Sequence, residues 1–371
     1  MNHKQQEMSA RIVPTLDAKV TRRGFLRGAA VAGLGVALGA PLLSLATGCS
    51  SDGDGNGNVK MGITMGNQTL WRYLASKKDQ LLKPLGYNVT FANYQNDDQL
   101  FADFVGGKID VCATIVNSLP SLSATSDVQL FLPIAWMKTG FPIMAPAASS
   151  LRSVADLQGK RLAILSASHP STLYWEALVR ENYGFSLKEK ANVADLATLQ
   201  AANPVDPLRD GKADAAVMES SALTELLPAG AYRQIGDLRT EWIKVSRSDR
   251  LLVYGGYAAK SQWLKTHDRF AEDLIRVNYE ALKAFKADRA SFIDAATAYG
   301  GDNAPRMSKE SSAYIADYLG YDDVEAERVY LSSVDAEDFR KLMALFAKVD
   351  ILKAPAPDVA NYFYLSGKRP K

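Results

Sequence analysis

The side chains best suited to chemistry in this sequence are amides and hydroxyls gathered in short segments: Asn67-Gln68-Thr69, Asn96-Asp97, Thr114 with Asn117-Ser118, Ser166-Ala167-Ser168-His169, Ser171-Thr172 and Glu219-Ser220. Groups of this kind donate and accept hydrogen bonds without being activated nucleophiles, so the chemistry they fit is capture of a small polar solute. Each segment precedes a helical pattern, and the unpaired N–H groups of a first helical turn hold an anionic head. Ser, Thr, Asn and Asp are also the ordinary N-cap residues, so any one of them alone reads equally well as a cap. The set, drawn from both halves of the chain, points to a site. Asp97 and Glu219 make a zwitterion as suitable as a plain anion. Trp136, Tyr94 and Tyr254 are the aromatics that would line such a site for an aromatic or heterocyclic solute, although aromatics at strand ends more often belong to a core.

Catalytic and metal chemistry is poorly provided for. Besides Cys49, the one other cysteine is Cys112, set in the apolar run Ile109–Val116, where a free thiol behaves as a small hydrophobe. An enzyme would need Cys112 as nucleophile with His169 near it, and no nucleophile signature surrounds either residue. His3, His169 and His267 are far apart, so no metal-ligand spacing arises and neither a metal nor a cofactor is expected. The chain carries 43 Lys and Arg against 41 Asp and Glu. Six of the basic and two of the acidic residues fall in the first 48, which leaves 37 against 39 and no basic stripe to track nucleic acid.

The elements that must position these residues alternate. Lys60–Thr64, Tyr87–Tyr94, Ile109–Val116, Val128–Trp136, Arg161–Leu165, Ala213–Met218 and Leu251–Ala258 read as strands, being short and apolar. Leu70–Leu82, Asp98–Val105, Thr172–Asn182 and Ala194–Gln200 read as helices between them. That alternation predicts an α/β protein with largely parallel sheets, and about 320 residues predict two lobes rather than one core. Gly107-Lys108-Ile109-Asp110-Val111 recurs as Gly211-Lys212-Ala213-Asp214-Ala215, one copy for each lobe, the glycine ending a helix and the apolar residues entering a sheet. After about residue 260 the pattern is helical. Phe270, Leu274, Val277, Ala281 and Phe285 form one apolar stripe; Phe339, Leu342, Phe346 and Val349 form another, with Asp335 as its N-cap. These helices are expected to pack on the first lobe.

The first residues carry an address. Thr21-Arg22-Arg23-Gly24-Phe25-Leu26-Arg27 resembles the twin-arginine export motif, followed by an uncharged Gly- and Ala-rich stretch from Gly28 to Leu45. Eighteen such residues are long enough to span a bilayer, but the basic region before them and the small residues after them fit a cleavable signal over 1–48. Ala46-Thr47-Gly48-Cys49 resembles a lipobox, which would make Cys49 the lipidated first residue of the mature chain. The polar run to Asn58 then reads as a flexible tether, 49–58, between a lipid anchor and the globular part.

Ser153-Val154-Ala155-Asp156-Leu157-Gln158-Gly159-Lys160-Arg161-Leu162-Ala163-Ile164 and Arg209-Asp210-Gly211-Lys212-Ala213-Asp214-Ala215-Ala216-Val217 are similar to the nitrate/sulfonate/taurine group of ABC substrate-binding proteins. The resemblance runs from about Lys60 to Leu282. It departs at Cys112-Ala113-Thr114-Ile115, where the group often has glycines, and at Glu219-Ser220-Ser221. It implies a two-lobe periplasmic-binding-protein type II fold with a C-terminal helical extension: lobe one from 59–140 and 255–371, lobe two from 147–247. It also implies two crossings forming a hinge, near Met137–Ser150 and Ser246–Tyr257, and closure about a solute in the cleft. The expected protein is thus an extracytoplasmic, lipid-anchored monomer that hands a small solute to an ABC permease. Enzymes share this fold, among them those of thiamine-pyrimidine synthesis, but their Cys-rich segment is absent.

Overall fold

The computed structural model describes residues 57–64, 69–94, 97–136, 138, 141–164, 170–187, 192–195, 205–218, 230–299, 308–352 and 359–364. They form two five-stranded sheets with flanking helices, and one buried apolar cluster runs through both.

The first sheet holds β1 (Gly57–Thr64), β2 (Tyr87–Tyr94), β3 (Val111–Ile115), β4 (Val128–Trp136) and β10 (Val253–Lys260), in the order β2-β1-β3-β10-β4. The second holds β5 (Ile143–Pro146), β6 (Arg161–Ile164), β7 (Asn192–Asp195), β8 (Ala215–Val217) and β9 (Tyr232–Gly236), in the order β7-β6-β8-β5-β9. The two orders are one topology used twice. In each sheet four strands run in the same direction and one lies antiparallel between two of them. That antiparallel strand is the one on which the chain arrives from the other sheet: β5 after β4, and β10 after β9. The sheets are therefore mixed rather than parallel throughout.

The sequence echo has a structural counterpart. Gly107 and Gly211 both take left-handed backbone conformations, with φ of 77° and 68°. Asp110 then accepts a hydrogen bond from the Lys60 N–H at 2.8 Å, and its own N–H donates to the Lys60 carbonyl at 2.9 Å. Asp214 does the same to Arg161, at 2.8 Å in both directions. The aspartates thus tie β1 to the entry of β3 in one lobe and β6 to the entry of β8 in the other.

All seven strands expected from sequence are present, with ends shifted by up to three residues. Gly57 and Asn58, expected in the tether, already pair with Tyr87 and Asn88. Three strands went unread: Ile143–Pro146, Asn192–Asp195 and Tyr232–Gly236. They are four or five residues long and carry charges, amides or a proline, so no apolar run marks them. Of the helix expected at Ala194–Gln200, Ala194 and Asp195 belong to β7 and the rest lies outside the described residues. Opposite Ile115 and Thr114, β10 carries Gly255 and Gly256; a Cβ on Gly256 would come within 2.2 Å of the Leu132 carbonyl oxygen. Two glycines let this strand bend where its register with β4 slips.

Helices α1 (Thr69–Leu81), α2 (Asp97–Val105) and α3 (Leu119–Ser126) flank the first sheet; α4 (Pro170–Tyr183), α5 (Val205–Arg209) and α6 (Leu238–Ser246) flank the second. Trp71 and Trp136 are fully buried in lobe one, Trp175 and Trp242 in lobe two. At about 200 Å² each, such side chains contribute roughly 5 kcal/mol of burial apiece. The C-terminal helices are α7 (Ser261–Thr266), α8 (Asp268–Ala287), α9 (Arg289–Ala298), α10 (Lys309–Tyr318) and α11 (Ser333–Lys348). The stripe on α8 is buried as read. On α11 the N-cap is Ser332, not Asp335, which sits three residues later and closes a capping box back to the Ser332 N–H.

Nor does α11 pack on lobe one alone. Phe339 lies against Phe363, and the neighbouring Tyr364 N–H bonds Leu130 of β4 at 2.8 Å. At its other end, Phe346 meets Tyr174 of α4 at 5.5 Å between ring centres, Lys348 pairs with Glu181 at 2.6 Å, and Arg180 donates to the Val349 carbonyl. The helix spans both lobes. Asp335 at its start also ion-pairs with Arg250 at 3.2 Å and Arg328 at 3.1 Å, and Arg250 belongs to the second crossing. Each crossing carries a non-glycine residue with positive φ: Phe141 at 48° and Arg247 at 60°. For a bulky Phe that conformation is held only by its surroundings. Here the Phe141 carbonyl accepts the Trp175 indole N–H at 2.7 Å, and its ring packs on Tyr254.

Candidate functional site

One ring contact brings strand ends of the two sheets together. Gly255 pairs with Ile115, so Tyr254 lies just past the end of β3. Its ring centre is 6.0 Å from that of Tyr174, which stands in the first turns of α4, after β6. An aromatic group of Phe141, Tyr174, Tyr254 and Phe346 therefore joins the lobes where the two crossings and α11 meet. Tyr174 was not singled out from sequence. Its position two residues after the Ser171-Thr172 segment is the signal that would have found it.

At the lobe-two edge, Ser171 and Thr172 are fully buried in the first turn of α4. The hydroxyls of Thr172 and Tyr174 are buried without a hydrogen-bond partner among the described residues. Burial pushes the Tyr174 phenol well above its ordinary range, so it stays protonated and able to donate. A 14-residue helix adds the N–H groups and positive dipole end of its first turn. The arrangement offers donors to an acceptor-rich group. Of the expected residues in this lobe, Ser166, Ser168, His169, Glu219 and Ser220 lie outside the described residues.

In lobe one the expected set divides. The Thr69 hydroxyl is turned inward and donates to the Ser312 carbonyl of α10 at 2.9 Å, which ties α1 to α10. Thr114 is nearly buried at the end of β3, its hydroxyl 3.4 Å from the Ile115 carbonyl. Asn117 lies in the single helical turn Val116–Ser118 that follows, and Ser118 precedes α3 without making a side-chain cap bond. Asp97 accepts a hydrogen bond from the Thr64 hydroxyl, joining the end of β1 to the start of α2. Asn67, Gln68 and Asn96 lie outside the described residues, as do Arg22, Arg23 and Cys49. Trp136 is core, edge-on to Tyr321, and the Tyr94 hydroxyl donates to Asp103 of α2.

Cys112 is fully buried in β3, paired with Gly62 and Ala258. Desolvation first, then the negative charge of Asp97, pushes its thiol far above the range in which a thiolate forms near neutral pH. It is not placed to act as a nucleophile.

No protein-family model matches the chain, and no curated protein does. Solved structures do. The periplasmic aliphatic sulphonate binding protein SsuA of Escherichia coli superposes with a TM-score of 0.62 at 15% identity, covering 85% of this chain and 95% of that one. The alkanesulfonate-binding protein SsuA of Xanthomonas axonopodis pv. citri, bound to MOPS, gives 0.58 at 19% identity, covering 83% and 98%. A Candida albicans protein described as having the generic periplasmic binding protein fold gives 0.57 at 10% identity, covering 85% and 98%. The chain has the periplasmic-binding-protein fold. In that fold the lobes close about their crossings on a ligand held at the strand ends. In this chain Phe141 and Arg247 lie in the crossings, and Tyr254 and the first turn of α4 lie beside the ends of β3 and β6.

Proposed function

We propose that the mature chain is an extracytoplasmic solute-binding lipoprotein of an ABC importer, and that it captures a small organic anion or zwitterion in the cleft. The observation that carries this reading is the start of α4: the hydroxyls of Thr172 and Tyr174 are buried with no hydrogen-bond partner among the described residues, at a helix N-terminus that meets Tyr254 of the other lobe. A site made of donors on one lobe and closed by the other selects an acceptor-bearing solute and releases it unchanged on opening. The structural likeness to proteins that bind aliphatic sulphonates favours a sulfonate-like head. The aromatic group around Tyr174 favours a second reading, in which the solute is aromatic or heterocyclic and stacks there.

Export through the twin-arginine route rests on Arg22 and Arg23, and the anchor on Cys49. Mass spectrometry of the mature N-terminus tests the anchor: a diacylated or triacylated Cys49 is expected, and an unmodified terminus elsewhere contradicts it. For the site, the double variant Thr172→Val, Tyr174→Phe removes both hydroxyls at almost constant volume. Its unliganded form should melt no lower than wild type, because groups without partners are lost, while solute affinity falls by about tenfold or more. Unchanged affinity with unchanged folding would remove α4 from the site.

A further inference from the structure

A cavity of about 320 Å³ opens at the second crossing, and none of the residues assigned above to the solute lines it. Its charged lining comes from three places: Arg239 from α6 of lobe two, Asp249 and Arg250 from the crossing, and Asp323, Glu325 and Arg328 from the segment between α10 and α11. Short contacts draw the three arginines together. Arg250 and Arg328 pair with the same Asp335 oxygen, at 3.2 and 3.1 Å, and Arg328 also donates to the Leu251 carbonyl at 2.9 Å. Arg239 reaches the carbonyl of Asp249, the neighbour of Arg250, at 3.4 Å.

A guanidinium carries five N–H donors and no acceptor. The contacts above engage few of them, and the Nε–H groups of Arg239 and Arg250 are buried with no hydrogen-bond partner among the described residues. The neighbouring carboxylates are committed elsewhere. Lys138 holds Asp323 at 2.8 Å, Lys286 holds Glu325 at 3.5 Å, and Asp249 is exposed. Buried Asp335 gives one oxygen to two arginines, while its other oxygen accepts from the Ser332 N–H. The cluster is thus short of charged acceptor oxygens. A phosphate or sulfate supplies them in the geometry that the guanidinium fork matches.

We propose that this cavity binds a small inorganic oxyanion of the phosphate or sulfate type, gripped by Arg239 of lobe two, Arg250 of the crossing and Arg328 of the segment before α11. The site is separate from the solute cleft. Occupied, it would tie α6 to the segment after α10 across the crossing about which the lobes move.

Inorganic phosphate is the probe in solution and selenate in the crystal. Titration calorimetry of the mature chain at low ionic strength should show a phosphate site that persists in the cleft variant Thr172→Val, Tyr174→Phe. Arg239→Gln should weaken that site by about tenfold or more at an unchanged melting point, since among the described residues its guanidinium bonds only a carbonyl at 3.4 Å. No binding to wild type, binding to Arg239→Gln as tight as to wild type, or loss of all binding in the cleft variant overturns the proposal. Crystals of wild type soaked in sodium selenate and measured at the selenium edge should show anomalous density between Arg239 and Arg328, which decides the matter even if the variant does not fold. Selenate found only elsewhere contradicts it. The solute reading is tested apart from this one, by organic solutes and their loss in the cleft variant.

Discussion

Thr69 and Thr172 show how far residue type can carry a site assignment. Both are threonines beginning a helix after a sheet strand, and both read from sequence as equally fit to cap or to bind. The difference is what each hydroxyl meets. That of Thr69 is spent on the Ser312 carbonyl of a helix more than two hundred residues away, a partner no local pattern announces. That of Thr172 finds none among the described residues. Cys112 was legible, because an apolar run of eight residues already implied a buried thiol. It yields a simple expectation: in the folded protein the thiol reacts with a soluble disulfide reagent only as fast as the protein opens, and it reacts at once in denaturant. Rapid labelling of the native protein, read by absorbance, would contradict the burial. Cys112→Ser should cost about 1–3 kcal/mol of stability, from a hydroxyl left in an apolar strand, without altering solute affinity.

At the scale of elements, strands long enough to show an apolar run were readable and the short ones were not. Each of the two sheets repeats the other's order, yet β5 and β9 of the second are four and five residues long and held by pairing rather than by pattern. The strand-clamping aspartates were visible as the Gly-Lys-x-Asp echo, although their bonds to Lys60 and Arg161 were not. Asp214 accepts from the Arg161 N–H and from its guanidinium at 2.8 Å. The Arg161 side chain is the main cause that holds its carboxyl below the usual range, with the Arg161 backbone N–H adding to it. A lowered carboxylate pKa means the folded state favours the charged form. Its contribution is therefore present above the unfolded value of about 4 and is lost as pH falls through the folded value. Asp214→Asn should cost about 1–2 kcal/mol at pH 7, partly screened because the pair is half exposed, and the gap from wild type should narrow below about pH 4. Urea titrations at pH 7 and pH 3.5 check it; a gap independent of pH would mean that the carboxylate charge plays no part.

For the molecule as a whole, size and alternation foretold two lobes, and the mixed sheets follow from the two crossings, since a chain that returns to a sheet on a new strand is free to run antiparallel. What could not be foretold is α11. Its apolar stripe is as plain as that of α8, but periodicity says only that a face is buried and not against what. The structure gives that face to both lobes, so opening must either move α11 with one lobe or break Lys348–Glu181 and the Tyr174–Phe346 contact. The central claim is that this chain binds a small solute and releases it unchanged. The most direct measurement is a thermal-shift panel of alkanesulfonates, aminosulfonates, nitrate and aromatic heterocycles on the purified mature chain, with the ligand recovered and weighed by mass spectrometry. At a hundredfold excess over its dissociation constant, a true solute stabilises the folded state by about 2.7 kcal/mol, and at roughly 2–4 °C per kcal/mol the melting point should rise by several degrees. At least one anion or zwitterion of the panel should do this and be recovered intact; a panel with no shift, or a compound returned chemically altered, would contradict the claim.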